Sequence, residues 1–436
     1  MKRYESYKDS GIQWIGEIPE HWDLLPLKYY ISFTKGRIPS ETTDKCIGYP
    51  YLTMDYLRNR NDKQVVYPNN PEGLPLMNDG DILVLWDGAN AGEFIKSKRG
   101  YLGSTMAKIS FDEEIYDKSY LYYLLCSIEP ISKEFANGTT IPHFDSKVLL
   151  DYAYPCPNLV EQQAIVSYLD LKVGQIEATI AEKELMLDEF KSYRLAIISE
   201  VITKGLDKNV KMKDSGSNTI GCIPESWKVV KTLYCLSMPI TDGPHTTPEL
   251  YEKGIPFISA EAVSCGNGKI DFSHMRGYIS QEFYEECCKK YIPQKDDIYM
   301  IKSGATTGKV AIVDTDRLFT IWSPLAVFRS NRKIMLPNYL FFLLQSSLYQ
   351  AQVELGWSFG TQQNIGMRVL EKIQIPVPPI EEQQKISDYL IIKNVEIEKA
   401  IKLMQDQIDD LKTYKSAIIT EAVTGKMDLR DWKLKK

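Results

Sequence analysis

The side chains most able to do chemistry in this 436-residue chain cluster in turns. Ser303-Gly-Ala-Thr-Thr-Gly-Lys309 follows an apolar run and invites comparison with a phosphate-cradling loop. Such a loop needs four residues between its glycines and a Ser or Thr after the lysine, so that backbone N–H groups wrap phosphates and a hydroxyl holds Mg²⁺. Here three residues intervene and Val310 follows, which argues against nucleotide binding. Two readings stay open: a tight structural turn, or a DNA-facing loop with Lys302, Ser303, Thr306, Thr307 and Lys309 on phosphates or base edges. Asn137-Gly-Thr-Thr-Ile-Pro-His143 and Gly360-Thr-Gln-Gln-Asn364 are two further polar loops. Asn and Gln can bond adenine N6 and N7 in pairs, each pair giving about 1–3 kcal/mol of discrimination. Thr139, Thr140, His143, Gln362, Gln363 and Asn364 are therefore candidate contacts, against the plain alternative of solvated loops. Lys35, Arg37, Arg58, Arg60, Lys96, Lys98 and Arg99 could hold phosphates early in the chain, and Arg329, Arg332, Lys333 and Arg368 late in it; the alternative for each is a solvated surface charge. Phosphate contacts add affinity and salt dependence without sequence choice.

Hydrolytic and methyl-transfer chemistry find little support. Glu189-Phe-Lys191 and Asp410-Leu-Lys412 have part of a metal-nuclease pattern but fall within helical stretches, at positions suited to solvated charge. Asn69-Asn-Pro-Glu-Gly73 fails the Pro-Pro-aromatic pattern of an adenine methyltransferase. The eight cysteines include no C-x-x-C pair and read as reduced structural residues. The sequence thus predicts no catalytic residue, no metal site and no cofactor in this chain.

Composition narrows the class. Hydrophobic residues make up 44% and charged residues 25%, as in an ordinary globular protein. No apolar run approaches the roughly 20 residues of a membrane span, and the amino terminus lacks a signal-peptide core; the expected compartment is the cytoplasm. The net charge is −6. Residues 1–206 carry 22 Lys and Arg against 30 Asp and Glu, a net of −8, while residues 207–436 carry 30 against 28, a net of +2. Any nucleic-acid binding must come from local patches or from partners.

The elements that position these loops are written twice. Asp9-Ser-Gly-Ile-Gln-Trp-Ile-Gly-Glu-Ile-Pro-Glu-His-Trp22 recurs as Asp214-Ser-Gly-Ser-Asn-Thr-Ile-Gly-Cys-Ile-Pro-Glu-Ser-Trp227, with nine of 14 positions identical. Tyr120–Leu125 matches Tyr339–Leu344, Pro155–Gln163 matches Pro376–Gln384, and Tyr193–Thr203 matches Tyr414–Thr424. Ordered matches at a nearly constant offset mark a duplicated unit of about 210 residues. Each copy opens with an α+β globule. Val65-Val66-Tyr67, Ile82–Trp86 and Ala107–Phe111 read as strands in the first, and Ile255–Ile258, Ile298–Ile301 and Leu325–Phe328 in the second. One helix follows in each, at about 118–135 and 337–354.

Each copy then closes with a long helix. Ile165, Leu169, Val173, Ile176, Ile180, Leu187, Phe190, Ile197 and Val201 form one apolar seam; Ile386, Leu390, Ile397, Ile401, Met404, Ile408, Leu411, Ile418 and Ala422 form the other. Steps of three or four predict paired helices of about 40 residues, roughly 60 Å long. Prolines 155, 157, 376, 378 and 379 mark their starts. Antiparallel pairing would return the C-terminus to the first globule, and the likeness of Tyr7-Lys-Asp-Ser-Gly11 to Met212-Lys-Asp-Ser-Gly216 supports such a closed arrangement. Two unlike globules at a fixed spacing suit two places on a duplex, where half-sites one helical turn apart are roughly 34–36 Å distant.

The chain resembles the specificity subunit of type I restriction–modification systems. The resemblance rests on the Gly-x-Ile-Pro-Glu-x-Trp segments at 16–22 and 221–227, Thr241-Asp-Gly-Pro-His-Thr-Thr-Pro248 with Gly254-Ile-Pro-Phe257, Ser303–Gly308, and the proline step into Glu-Gln-Gln and a long helix. It implies an α+β architecture of two target-recognition domains separated by two long antiparallel coiled-coil helices. The expected division is 1–156, 157–206, 207–376 and 377–436. It also implies a non-catalytic chain that binds a bipartite, asymmetric double-stranded DNA target. Two modification subunits and restriction subunits would be its partners, with S-adenosylmethionine in the former and ATP and Mg²⁺ in the latter. Thr241, Asp242, His245 and Thr246 join the candidate DNA contacts on this ground, as does Asn90 in the first-copy loop Asp87–Gly92. The outer faces of Glu161-Gln-Gln163 and Glu382-Gln-Gln384 are candidate docking sites for modification subunits. Rival readings are a related two-part methylating and cleaving system without an ATP-driven motor, and a coiled-coil scaffold that ignores DNA.

Overall fold

The computed structural model describes residues 2–58, 65–134, 142–359 and 363–432. They form two units: unit 1 is Met1–Glu184 with Asp406–Lys436, and unit 2 is Leu185–Gln405. The discontinuity of unit 1 follows from the two long helices, each of which begins in one unit and ends in the other.

The globule of unit 1 carries a four-stranded antiparallel sheet. Its strands are β1 (Ile31–Lys35), β2 (Ile82–Leu85), β3 (Phe94–Lys96) and β4 (Met106–Phe111), in the order β3-β2-β4-β1. All four residues of β2 are buried, as expected of a β-branched and leucine-rich central strand. A second sheet pairs Tyr51–Leu52 in parallel with Gly100–Leu102, and the latter with Leu76–Met77. Helix α1 (Lys118–Glu134) covers the globule, burying Tyr120, Leu121, Leu124, Leu125 and Ile128. The long helix α2 spans Leu159–Lys204, 46 residues.

Unit 2 repeats the plan with β5 (Thr241–Asp242), β6 (Ile298–Ile301), β7 (Val310–Ile312) and β8 (Leu325–Phe328), in the equivalent order β7-β6-β8-β5. The expected helix at 337–354 is instead two helices, α3 (Pro337–Gln345) and α4 (Ser347–Leu355). Buried Ser346 makes the break. Its extended backbone lets the hydroxyl donate to the Leu343 carbonyl at 2.6 Å and accept from the Tyr349 N–H, capping α4. The expected strand at Val65-Val66-Tyr67 is reduced to Tyr67–Pro68. Helix α5 (Ile380–Val423, 44 residues) mirrors α2.

Antiparallel helix pairing is present within each unit. In unit 1, Lys183 Nζ donates to Gln407 at 2.7 Å, and Lys415 lies 3.2 Å from Glu177. In unit 2, Arg194 lies 3.7 Å from Glu398, the equivalent pair. Most seam residues are buried, including Ile165, Leu169, Ile176, Ile180, Leu187, Ile386, Leu390, Ile397, Ile408 and Ile418. Phe190, Ile197, Ile401, Met404 and Leu411 are half-buried. The helix ends are also equivalent. Gly205 and Gly425 take positive φ, 75° and 74°, where only a residue without Cβ is unstrained, and so stop α2 and α5. Tyr120 OH donates to the Pro155 carbonyl (2.9 Å) and lies 3.4 Å from that of Val423; Tyr339 OH stands in the same relation to Pro376 and Ile202. Each globule is therefore fastened to the start of its own helix and the end of the other.

Candidate nucleic-acid interface

Strand register shows that the two globules present one backbone frame. Lys35, last in β1, faces Ala107 of β4, which faces Val84 of β2; one step on, Met106 faces Leu85. Asp242, last in β5, faces Ala326 of β8, which faces Met300 of β6; one step on, Leu325 faces Ile301. Lys35 and Asp242 are thus equivalent, as are Trp86 and Lys302. The next residues, Asp87 and Ser303, form equivalent isolated bridges to His143 and Asn364. The following N–H groups complete the match: Phe144 donates to the Trp86 carbonyl at 2.8 Å and Ile365 to that of Lys302 at 2.9 Å.

A glycine holds each frame closed. A Cβ on Gly36 would lie 2.1 Å from the Gly103 carbonyl oxygen, and one on Gly243 would lie 2.0 Å from that of Ile321. Only glycine permits these crossings, which explains why Lys35-Gly36 and Asp242-Gly243 share their second residue.

On this common frame the side chains differ. In unit 1 the Asp87 carboxylate holds two partners: Lys35 Nζ at 3.3 Å and His143 Nδ1 at 2.6 Å. Lys35 also lies over the Trp86 ring, 5.3 Å from its centre. Lys35 and His143 keep 51% and 59% of their side-chain surface exposed. In unit 2 the carboxylate sits on the strand. Asp242, 2% exposed, takes an ion pair from Lys290 and another from Lys302 at 3.2 Å, and His245 Nε2 stands 3.4 Å away. Burial pushes its carboxyl up, but the hydrogen bonds and charges of Lys290 and Lys302 outweigh this and hold it below the usual carboxylate range. Lys302, 13% exposed, is turned inward.

The remaining candidates divide by surroundings. His245, Thr246, Lys309, Arg368 and Asn90 are exposed, and Thr241 and Thr306 are half-buried. Thr246 lines a cavity of about 210 Å³ beside Asp242 and Lys290. Thr307 donates to the Gly304 carbonyl at 2.7 Å, within its own turn. Arg37 donates to the Gly73 carbonyl at 3.2 Å. Gln363 and Asn364 form a two-residue strand paired with Ser358–Phe359. Thr139, Thr140, Gln362 and Arg60 lie outside the described residues. Among the described residues no group of three or more His, Cys, Asp or Glu side chains could hold a metal ion, and no helix is long and apolar enough to cross a membrane.

The family profile described as the type I restriction modification DNA specificity domain matches this chain twice, over residues 19–184 and 244–411. The chain belongs to that family. The type I restriction enzyme MjaVIII specificity subunit of Methanocaldococcus jannaschii is 28% identical over 420 residues, 95% of each chain. The type I restriction enzyme EcoBI specificity subunit of Escherichia coli is 24% identical over 430 residues, covering 96% of this chain and 89% of its own. A solved chain from a study of complex assembly and conformational transition in the type I R-M system shares the fold, with a TM-score of 0.64, 17% identity and coverage of 94% and 99%.

Within this specificity-family fold, some residues proposed to face outward are structural. Arg58 pairs with Glu93. Arg329 makes a two-pronged bond to buried Asp297, at 2.7 and 2.8 Å, beside Tyr291 and Tyr299. Glu161 is buried and accepts from Tyr4 OH at 2.6 Å, with His21 Nε2 at 3.0 Å. Buried Gln162 accepts from the Asp117 N–H and donates to the Ile115 and Pro157 carbonyls; Gln383 does the same for Leu336, Ile334 and Pro378. Glu382 accepts from Trp227 Nε1 at 2.9 Å. The Glu-Gln-Gln segments are thus staples between helix and globule, and only Gln163 and Gln384 remain exposed as docking candidates. Sequence reasoning missed Asp87, Trp86 and Lys290. The match of the loop Asp87–Gly92 to Ser303–Gly308 is a signal for Asp87; nothing local marks Trp86 or Lys290.

Proposed function

We propose that this chain selects the DNA target of a type I restriction–modification complex and performs neither cleavage nor methyl transfer itself. Each unit reads one part of a bipartite target. The observation that carries this reading is the common frame bearing unlike side chains: Lys35, Trp86, Asp87 and His143 in one unit, Asp242, Lys302, Ser303 and Asn364 in the other. Equal backbones with unequal donors and acceptors are what recognition of an asymmetric sequence requires, because base edges are told apart by their hydrogen-bonding patterns.

The partners are double-stranded DNA, two modification subunits and restriction subunits. Repetition of the helix pairing in both units supports two equivalent docking places for like partners. S-adenosylmethionine belongs to the modification subunits, and ATP and Mg²⁺ to the restriction subunits. The paired helices α2 and α5 set the spacing of the two half-sites. Mapping methylated positions across the host genome with and without this chain tests the reading. The chain's removal abolishes one bipartite, non-palindromic methylation motif; unaltered methylation would contradict it.

A further inference from the structure

We infer that Asp87, itself held by His143, is a positioning residue that sets Lys35 to read the guanine of one guanine–cytosine pair in the half-site served by unit 1. This rests on the DNA-selecting role proposed above and goes further by naming the base pair and the residues that choose it.

Hydrogen-bonding capacity sets what these groups can offer. The Asp87 carboxylate only accepts, so the His143 Nδ1 beside it at 2.6 Å carries the proton of that bond. The other oxygen of Asp87 holds the Lys35 ammonium at 3.3 Å, and the Trp86 ring holds it from a second side. An ammonium has three donors, so this ion pair leaves others to give. One carboxylate thus holds two half-exposed side chains, with the His143 bond fixing its orientation and the Lys35 ion pair fixing where the ammonium stands. In the major groove guanine shows two acceptors, N7 and O6, and the paired cytosine shows the N4 donor. The ammonium, with a donor for each of the two acceptors, suits the guanine edge. In an adenine–thymine pair each acceptor, adenine N7 or thymine O4, is flanked by the N6 donor or the methyl group, so the ammonium finds one acceptor there and two on guanine.

Unit 2 cannot use this arrangement. Asp242 occupies the place of Lys35, Lys302 that of Trp86, and both are turned inward onto each other. Ser303 and Asn364 stand where Asp87 and His143 stand. The two readers therefore select different base pairs at the same frame position, and unit 2 serves as an internal control for unit 1.

The test uses the full-length chain assembled with its modification subunits and selects duplexes from a pool randomised in both half-sites. The parental complex prefers G·C at one fixed position of one half-site. Asp87→Asn and Lys35→Gln each relax that preference roughly 5- to 100-fold, the range expected for losing one directed contact, and leave the other half-site unchanged. Retention of the G·C preference by Lys35→Gln, or loosening of both half-sites by it, would overturn the inference. Lys35→Gln remains decisive whatever Asp87→Asn does to folding, because its side chain is half-exposed and lies in no core cluster. A parental complex with no sequence preference at all would instead remove the DNA-selecting function itself.

Discussion

At the scale of single residues, Asp242 shows how a charge on the shared strand frame belongs to structure. It is a buried carboxylate neutralised by Lys290 and Lys302. Replacing it by Ala leaves Lys302 inside without its partner, and breaking a buried pair in this way costs roughly 3–5 kcal/mol. Urea unfolding of Asp242→Ala should show a loss of that size at neutral pH; a loss under about 1 kcal/mol, the worth of an exposed pair, would mean the pair is solvent-screened. The pH dependence has a definite sign. The folded carboxyl lies below its ordinary value, so its stabilisation is present above about pH 4 and fades as pH falls through the folded value. Asp242→Asn should flatten the acid limb of the stability profile, and an unchanged limb would contradict the assignment. Gly243→Ala, which puts a Cβ 2.0 Å from the Ile321 oxygen, should destabilise unit 2 by about 1–3 kcal/mol in thermal unfolding. Unaltered unfolding would mean the crossing is slack. The sequence exposes glycines and charges but not which way a lysine turns. Lys302 points inward because of an aspartate 60 positions away, and no local pattern reports that.

At the scale of elements, the long helices were the most legible part of the chain. A seam repeated every three or four residues constrains a helix along its length, and prolines fix where it begins. The duplicated termini announced the antiparallel return, and the structure pairs Lys183 with Gln407 and Glu177 with Lys415 accordingly. Short features were less legible. The stop at Ser346 depends on a serine that caps only when its backbone is extended, whereas the equivalent Ser127 bonds Leu124 in the same way inside an unbroken helix. Likewise the Glu-Gln-Gln segments read in sequence as outward docking faces, whereas the burial of Gln162 and Gln383 depends on loop carbonyls more than 40 residues away. Removing seven residues, two turns, from both α2 and α5 at the level of Lys183 and Gln407 keeps the seam in phase. It shortens each helix by about 10 Å, close to three base pairs of duplex. The methylated half-sites should move closer by about that number. An unchanged spacer would show that the helices do not set it.

At the scale of the whole molecule, one chain carries two readers, each a complete globule tied to the start of one helix and the end of the other. Their independence is the central claim. It is supported by the separate sheets, separate cores and differently furnished frames of the two units. The most direct measurement exchanges residues 225–376 for the matching segment of another family member and maps methylated positions with the assembled complex. Independent readers predict that one half-site changes while the other half-site and the spacer stay as they were; a change in both half-sites, or in neither, would contradict them.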